Sequence, residues 1–153
     1  MDDRELWQEL ARRFATAFGD RLHGLAVFGS RARGTAGPDS DHDIFLVADG
    51  LARNPFERSA QVAEPLAGLG TVLVQVLART PEEFLHDITP LHLDLALDAV
   101  VVFERDGFLT RHLGRVRERI AEAGLERRTD LFWQWRRPPR VRDWAITWEG
   151  VRI

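Results

Sequence analysis

Ser30, Asp41 and Asp43 stand together in the stretch "VFGSRARGTAGPDSDHDIFLV" (27–47), where a glycine–serine turn with two arginines is followed, after ten intervening residues, by two aspartates one position apart. Residues two apart on a strand project from the same face, so Asp41 and Asp43 would point one way and His42 the other. Two such carboxylates repel unless a cation lies between them. Hard oxygen donors, few in number and completed by water and phosphate, suit Mg²⁺. Gly29-Ser30 falls where a strand ends and a helical turn begins, so free backbone N–H groups and the positive helix end suit a phosphate. Ser30 adds a hydroxyl donor, and Gly29 permits close approach to the backbone. The chemistry implied is the holding of a metal-bound polyphosphate. The plainer alternative is a polar loop between two strands whose acids are incidental.

The elements that must position these residues can be traced along the chain. Leu6, Leu10, Phe14, Ala17 and Phe18 recur at helical spacing from Asp2, and Gly19 stops them. "LHGLAVFG" (22–29) and "HDIFLVAD" (42–49) read as strands on either side of the motif, the second closed by Asp49-Gly50. Asn54-Pro55 opens a helix that Pro65 should kink or end. "TVLVQVLA" (71–78) predicts a third strand, Thr80-Pro81 with Glu83 a short helix, and "AVVVFE" (99–104) a further strand. Leu91, Leu93, Leu95 and Leu97 alternate like a strand but have helical composition, so 91–97 stays open between the two. Leu109, Leu113, Val116 and Ile120 form a helical stripe ending at Gly124. Helices and strands thus alternate through most of the chain, an order compatible with an α+β fold, a mixed, mostly antiparallel sheet of about four to five strands flanked by helices.

Composition narrows the chemistry. The 153 residues suit one domain, organised as a core over 1–125 with an extension over 126–153 packed on it. There is no cysteine, which removes disulfides, thiol nucleophiles and sulfur-ligated zinc. All 21 basic residues are arginine, so a Schiff-base lysine and the lysine of a P-loop are excluded. A charged N-terminus and the lack of a long apolar run predict a cytoplasmic protein without a membrane span. The net charge of −3 argues against a nucleic-acid coat. The end of the chain differs: from Arg127 onward seven arginines face three acids, and four of the five tryptophans lie there. Trp133, Trp135, Trp144 and Trp148 could stack on bases, but the favoured reading has them covering the sheet or a dimer interface, with partner docking a third option. "WAITWEGVRI" could form a last strand.

The motif resembles the nucleotidyltransferase superfamily that includes DNA polymerase beta, and more closely its small stand-alone branch, the minimal nucleotidyltransferases. Phe28, Gly29, Ser30, Arg31, Ala32, Arg33, Gly34, Ser40, Asp41 and Asp43, followed by apolar Ile44 to Val47, match that family's Gly-Ser and Asp-x-Asp signature at its spacing. The resemblance covers Leu22 to about Glu104 and implies that family's fold, an α+β arrangement of a mixed sheet flanked by helices. It implies a nucleotide site of Gly29, Ser30, Arg31, Arg33 and Ser40, with Asp41 and Asp43 as catalytic residues binding Mg²⁺, and transfer of a nucleoside monophosphate from a nucleoside triphosphate, ATP foremost, to an acceptor hydroxyl on a protein, an RNA or a small molecule, with release of pyrophosphate. Arg31 and Arg33 could equally pair with surface acids. Members of the branch often work with a small helical partner protein, in several cases a toxin. A second copy of the chain is a further partner left open, and nucleic acid is not favoured.

One departure stands out. The family has a third carboxylate on a later strand, whereas the polar residue interrupting "TVLVQVLA" is Gln75, which brings no charge and cannot act as a general base. Asp94, Asp98 or Glu104 could substitute, although solvated surface acids is the favoured reading of all three. An alternative function is therefore a catalytically weak or inactive nucleotide-binding regulatory subunit acting on a partner. His86, His92 and His112 read as surface or half-buried residues rather than zinc ligands.

Overall fold

Asp2 accepts the backbone N–H of Glu5 while Glu5 accepts that of Asp2, both at 2.8 Å, and this capping box starts α1 (Asp3–Phe18). The helix buries the face carrying Leu6, Leu10, Phe14 and Phe18. The computed structural model describes residues 1–153, and the elements follow in the order β1 (Leu22–Phe28), α2 (Gly29–Arg33), β2 (His42–Ala48) and α3 (Pro55–Ala63). Then come β3 (Val74–Arg79), α4 (Pro81–Phe84), α5 (Pro90–Asp98), β4 (Val100–Glu104) and α6 (Phe108–Ala123). Two small hairpins finish the chain, β5 (Leu125–Arg127) with β6 (Trp133–Trp135), and β7 (Ala145–Ile146) with β8 (Val151–Arg152).

The central sheet has four strands in the order β3-β2-β1-β4. β1 is antiparallel to both β2 and β4, while β3 joins β2 in parallel after the α3 crossover. The sheet is mixed and mostly antiparallel, as the family resemblance implies. Leu25, Val27, Ile44 and Leu46 face α1 on one side; Ala26, Phe45 and Val47 face α5 and α6 on the other. Each fully buried Val, Leu, Ile or Phe side chain contributes roughly 1.5–3 kcal/mol by removal from water. α6 packs close enough to β1 that a Cβ on Gly24 would come within 2.5 Å of Leu109.

Where prediction and structure differ, the causes are local. The open segment 91–97 is helical: Thr89 and His92 form a capping box, Pro90 occupies the first turn, and this start signal outweighs the alternation of leucines. Pro65 does end α3, in a 3-10 turn at Glu64–Leu66. The third strand begins at Val74 rather than Thr71, because its pairing with β2 starts only where Val74 meets His42. "WAITWEGVRI" is a hairpin turning at Thr147 to Gly150, separate from the central sheet.

The tryptophans cover helices rather than the sheet. Trp148 is buried, with its ring 5.7 Å from Phe84, 5.6 Å from His92 and 5.8 Å from His112. Trp133 donates its indole N–H to Asp94 at 2.9 Å, and Trp135 meets Trp144 edge-on while Trp144 stays half exposed. His92 departs from the surface or half-buried position expected of it. It is buried, and its ring nitrogens bond to the Phe84 carbonyl oxygen at 2.7 Å and accept the Thr89 N–H at 3.1 Å.

Burial lowers the pKa of His42, His92 and His112 alike. In each case the unfolded chain takes up a proton before the folded one does. Stability from these three groups is whole above about pH 6.5 and is lost as pH falls toward the depressed folded values. The urea unfolding midpoint is therefore expected to be lower at pH 5.5 than at pH 7.5, with His92→Gln flattening the dependence; a midpoint unchanged between the two would contradict it.

Candidate active site

The register of β1 on β2 pairs Phe28 with Asp43, so the residue after the strand, Gly29, meets the Asp43 side chain directly. A Cβ on Gly29 would overlap the Asp43 carboxylate, and Gly29 also adopts φ 72°, a conformation that favours glycine. No side chain caps the first turn of α2, whose residues include Ser30. The serine-bearing turn and the second aspartate are thus in contact across the strand ends.

The two aspartates lie half-buried on the α5 face of the sheet, while His42 turns to the opposite face. There the Trp7 indole N–H donates to His42 Nδ1 at 3.1 Å. In the parallel register of β2 and β3, Asp43 lies beside Gln75, whose Nε2 donates to Asp41 Oδ2 at 2.5 Å. No third His, Asp or Glu joins the pair to form a cluster. Burial, with the Asp41 carboxylate second, holds the Asp43 carboxyl above its ordinary range, while Arg33 and His42 pull it the other way. Two adjacent carboxylates with oxygen donors only, one of them destabilised as an anion, fit a hard divalent cation.

The remaining members of the sequence-derived site have definite partners. Arg31 donates through Nη2 to the Ser40 and Pro38 carbonyl oxygens at 2.8 and 3.3 Å, and through Nε to Ser40 at 3.2 Å. Ser40 Oγ accepts the Gly37 N–H at 2.9 Å. Arg31 and Ser40 therefore fold the loop that delivers Asp41. Arg33 donates to Asp98 Oδ2 at 3.2 Å. A cleft of about 310 Å³ next to the motif opens on the His42 side, lined by Arg31, Ser40, His42 and Leu73 among others, whereas the carboxylates face the other way.

The candidate substitutes for a third carboxylate are all engaged. Glu104 accepts the N–H of Thr110 at 2.8 Å at the start of α6, and Asp94 holds Trp133 and Arg127. Asp98 differs from a solvated surface acid: its side chain is only 7% exposed, between Arg33 and Arg127. No spacing rule links residues 29 and 65 positions apart, so this cluster could not be read from the chain.

The chain belongs to the nucleotidyltransferase domain family, whose model matches residues 4–125. A protein of Methanocaldococcus jannaschii, named on prediction as a protein adenylyltransferase, is 28% identical over 124 residues, covering 76% of this chain and 84% of its own. A crystal structure from Sulfolobus solfataricus, assigned on prediction to the nucleotidyltransferases, is 28% identical with a TM-score of 0.49, over 67% of this chain and 80% of that one. A toxin–antitoxin complex solved with AMP-PNP contains a chain with the same fold, at 18% identity and a TM-score of 0.51, over 75% of this chain and 90% of that one. No helix is long and apolar enough to cross a membrane.

Proposed function

We propose that the protein transfers a nucleoside monophosphate, AMP foremost, from a nucleoside triphosphate to a hydroxyl on a partner protein, with release of pyrophosphate. The observation that carries this reading is the contact of Gly29 with the Asp43 carboxylate, with Asp41 alongside. Ser30 and the free N–H groups of its turn would hold the terminal phosphates, with Arg33 at their edge and Arg31 and Ser40 shaping the loop. Asp41 and Asp43 would hold Mg²⁺, which would supply positive charge to offset the negative charge spreading over the phosphates. The acceptor oxygen forms a bond to the α-phosphorus as the bond to the bridging oxygen of the β-phosphate breaks; the electron pair leaves on pyrophosphate and the hydroxyl proton passes to water. The chain's contribution is positioning, because phosphoryl chemistry needs little covalent help.

The relative named as a protein adenylyltransferase favours a protein acceptor, and the toxin–antitoxin neighbour solved with AMP-PNP favours an adenine nucleotide and a protein partner. Incubation with each α-labelled nucleoside triphosphate and Mg²⁺, with and without co-purifying protein, tests the reading. Label on a protein acceptor supports it; nucleotide binding without label transfer supports a regulatory subunit instead.

Gln75 favours that second reading, since an amide beside Asp41 cannot take a proton from the acceptor. Gln75→Glu is expected to raise the transfer rate by about a hundredfold, the scale of a restored general base. An unchanged or lower rate in single-turnover labelling would mean that Gln75 does not limit the chemistry.

A further inference from the structure

The nucleotide turn is tied to the end of the chain through one buried carboxylate. Asp98 ends α5, where the helix dipole disfavours an anion, and its side chain is almost fully enclosed. Arg127 in β5 offsets this with a two-pronged bond, Nη1 to Oδ2 at 2.7 Å and Nη2 to Oδ1 at 2.8 Å. Arg127 is itself fixed by Asp94 at 3.2 Å, and the Trp133 indole N–H shares that same Asp94 oxygen at 2.9 Å. On its other side Asp98 Oδ2 accepts from Arg33 at 3.2 Å. Arg33 sits in the turn that carries Gly29 and Ser30, and its charge reaches Asp43.

We infer that Asp98 is a positioning residue for the nucleotide site, holding the Arg33 guanidinium beside the Gly29-Ser30 turn for a polyphosphate, and that Arg127 of the β5–β6 hairpin, just beyond the residues matched by the family, completes the site. This rests on the nucleotidyltransferase reading and adds to it a requirement for the C-terminal segment. Arg127 matters because its charge leaves Asp98 only partly engaged with Arg33, which keeps guanidinium capacity for an incoming phosphate. Burial alone would raise the Asp98 carboxyl, but the bonds from Arg127 and Arg33 hold it below its ordinary range, so the carboxylate is charged wherever nucleotide binds.

The test is calorimetric titration of the full chain with Mg²⁺ and a non-hydrolysable ATP analogue, and separately with AMP. Asp98→Asn is expected to weaken the triphosphate analogue by roughly tenfold or more, the scale of a charged hydrogen bond, while AMP affinity changes little. Arg33→Met should show the same selective loss, and Asp98→Asn added to Arg33→Met should cost nothing further. Arg127→Met should weaken the analogue as well, and Arg127→Lys should restore part of it. Circular dichroism and a thermal melt identify any variant that fails to fold, in which case the lysine variant decides. Absence of analogue binding by the unmodified protein would overturn the nucleotide reading itself. Normal binding by that protein, with equal affinity in a folded Asp98→Asn, would overturn only the positioning role, as would additive losses in the double variant.

Discussion

Asp43→Asn is expected to lower nucleotidyl transfer by at least about a thousandfold, close to 4 kcal/mol of transition-state stabilisation, while raising the stability of the metal-free protein. The two effects share one cause. Burial and the neighbouring Asp41 make the Asp43 anion unfavourable in the empty site, so a neutral amide of the same shape relieves the folded state at neutral pH. The same substitution removes half of the carboxylate pair that would hold the cation. Thermal melts should therefore show a higher midpoint in chelator for Asp43→Asn than for the unmodified protein, and no further rise on adding Mg²⁺ and nucleotide, where the unmodified protein rises. Asp41→Asn should cost activity similarly. A metal-free midpoint lowered by Asp43→Asn would mean that its carboxylate stabilises the fold, against this account.

Gly29→Ala is the second large effect, and Gly34→Ala is its control. Both glycines adopt positive φ, 72° and 77°, so alanine at either is strained by roughly 1–2 kcal/mol. They differ in surroundings: a Cβ at Gly34 has nothing within 4 Å, whereas at Gly29 it runs into the Asp43 carboxylate. Gly34→Ala should lower stability by about that amount and retain nucleotide binding. Gly29→Ala should lower stability comparably or more and abolish Mg²⁺-dependent binding, because Asp43 must swing away. Equal binding by the two variants would separate the glycine from the carboxylate and remove the contact as an explanation for the motif's spacing.

Much of this site is legible along the chain because it is local. Gly29, Ser30, Asp41 and Asp43 lie on two consecutive strands joined by one loop, and the period of two along β2 alone sets which side chains share a face. Gln75 was readable as an interruption in an apolar run, although only the parallel register of β3 on β2 brings it to Asp41. The rest depends on tertiary contact. Arg31 and Arg33 are two residues apart in one short helix, yet the first reaches back to loop carbonyls and the second across to α5, a distinction that spacing does not encode. Asp98 resembles any charged helix end until β5 brings Arg127 to it. The helix at 90–98 is decided by Thr89 and Pro90 at its start, whereas the leucines of 91–97, alternating like a strand but helical in composition, leave the segment open on their own.

The most direct test of the proposed metal–triphosphate site is diffraction from crystals grown with Mn²⁺ and a non-hydrolysable nucleoside triphosphate, recorded at a wavelength where manganese scatters anomalously. The account predicts one anomalous peak shared by the Asp41 and Asp43 carboxylates, with phosphate oxygens reaching both the ion and the Gly29-Ser30 turn. A nucleotide seated instead in the cleft on the His42 side, or an ion bound away from the two aspartates, would contradict it.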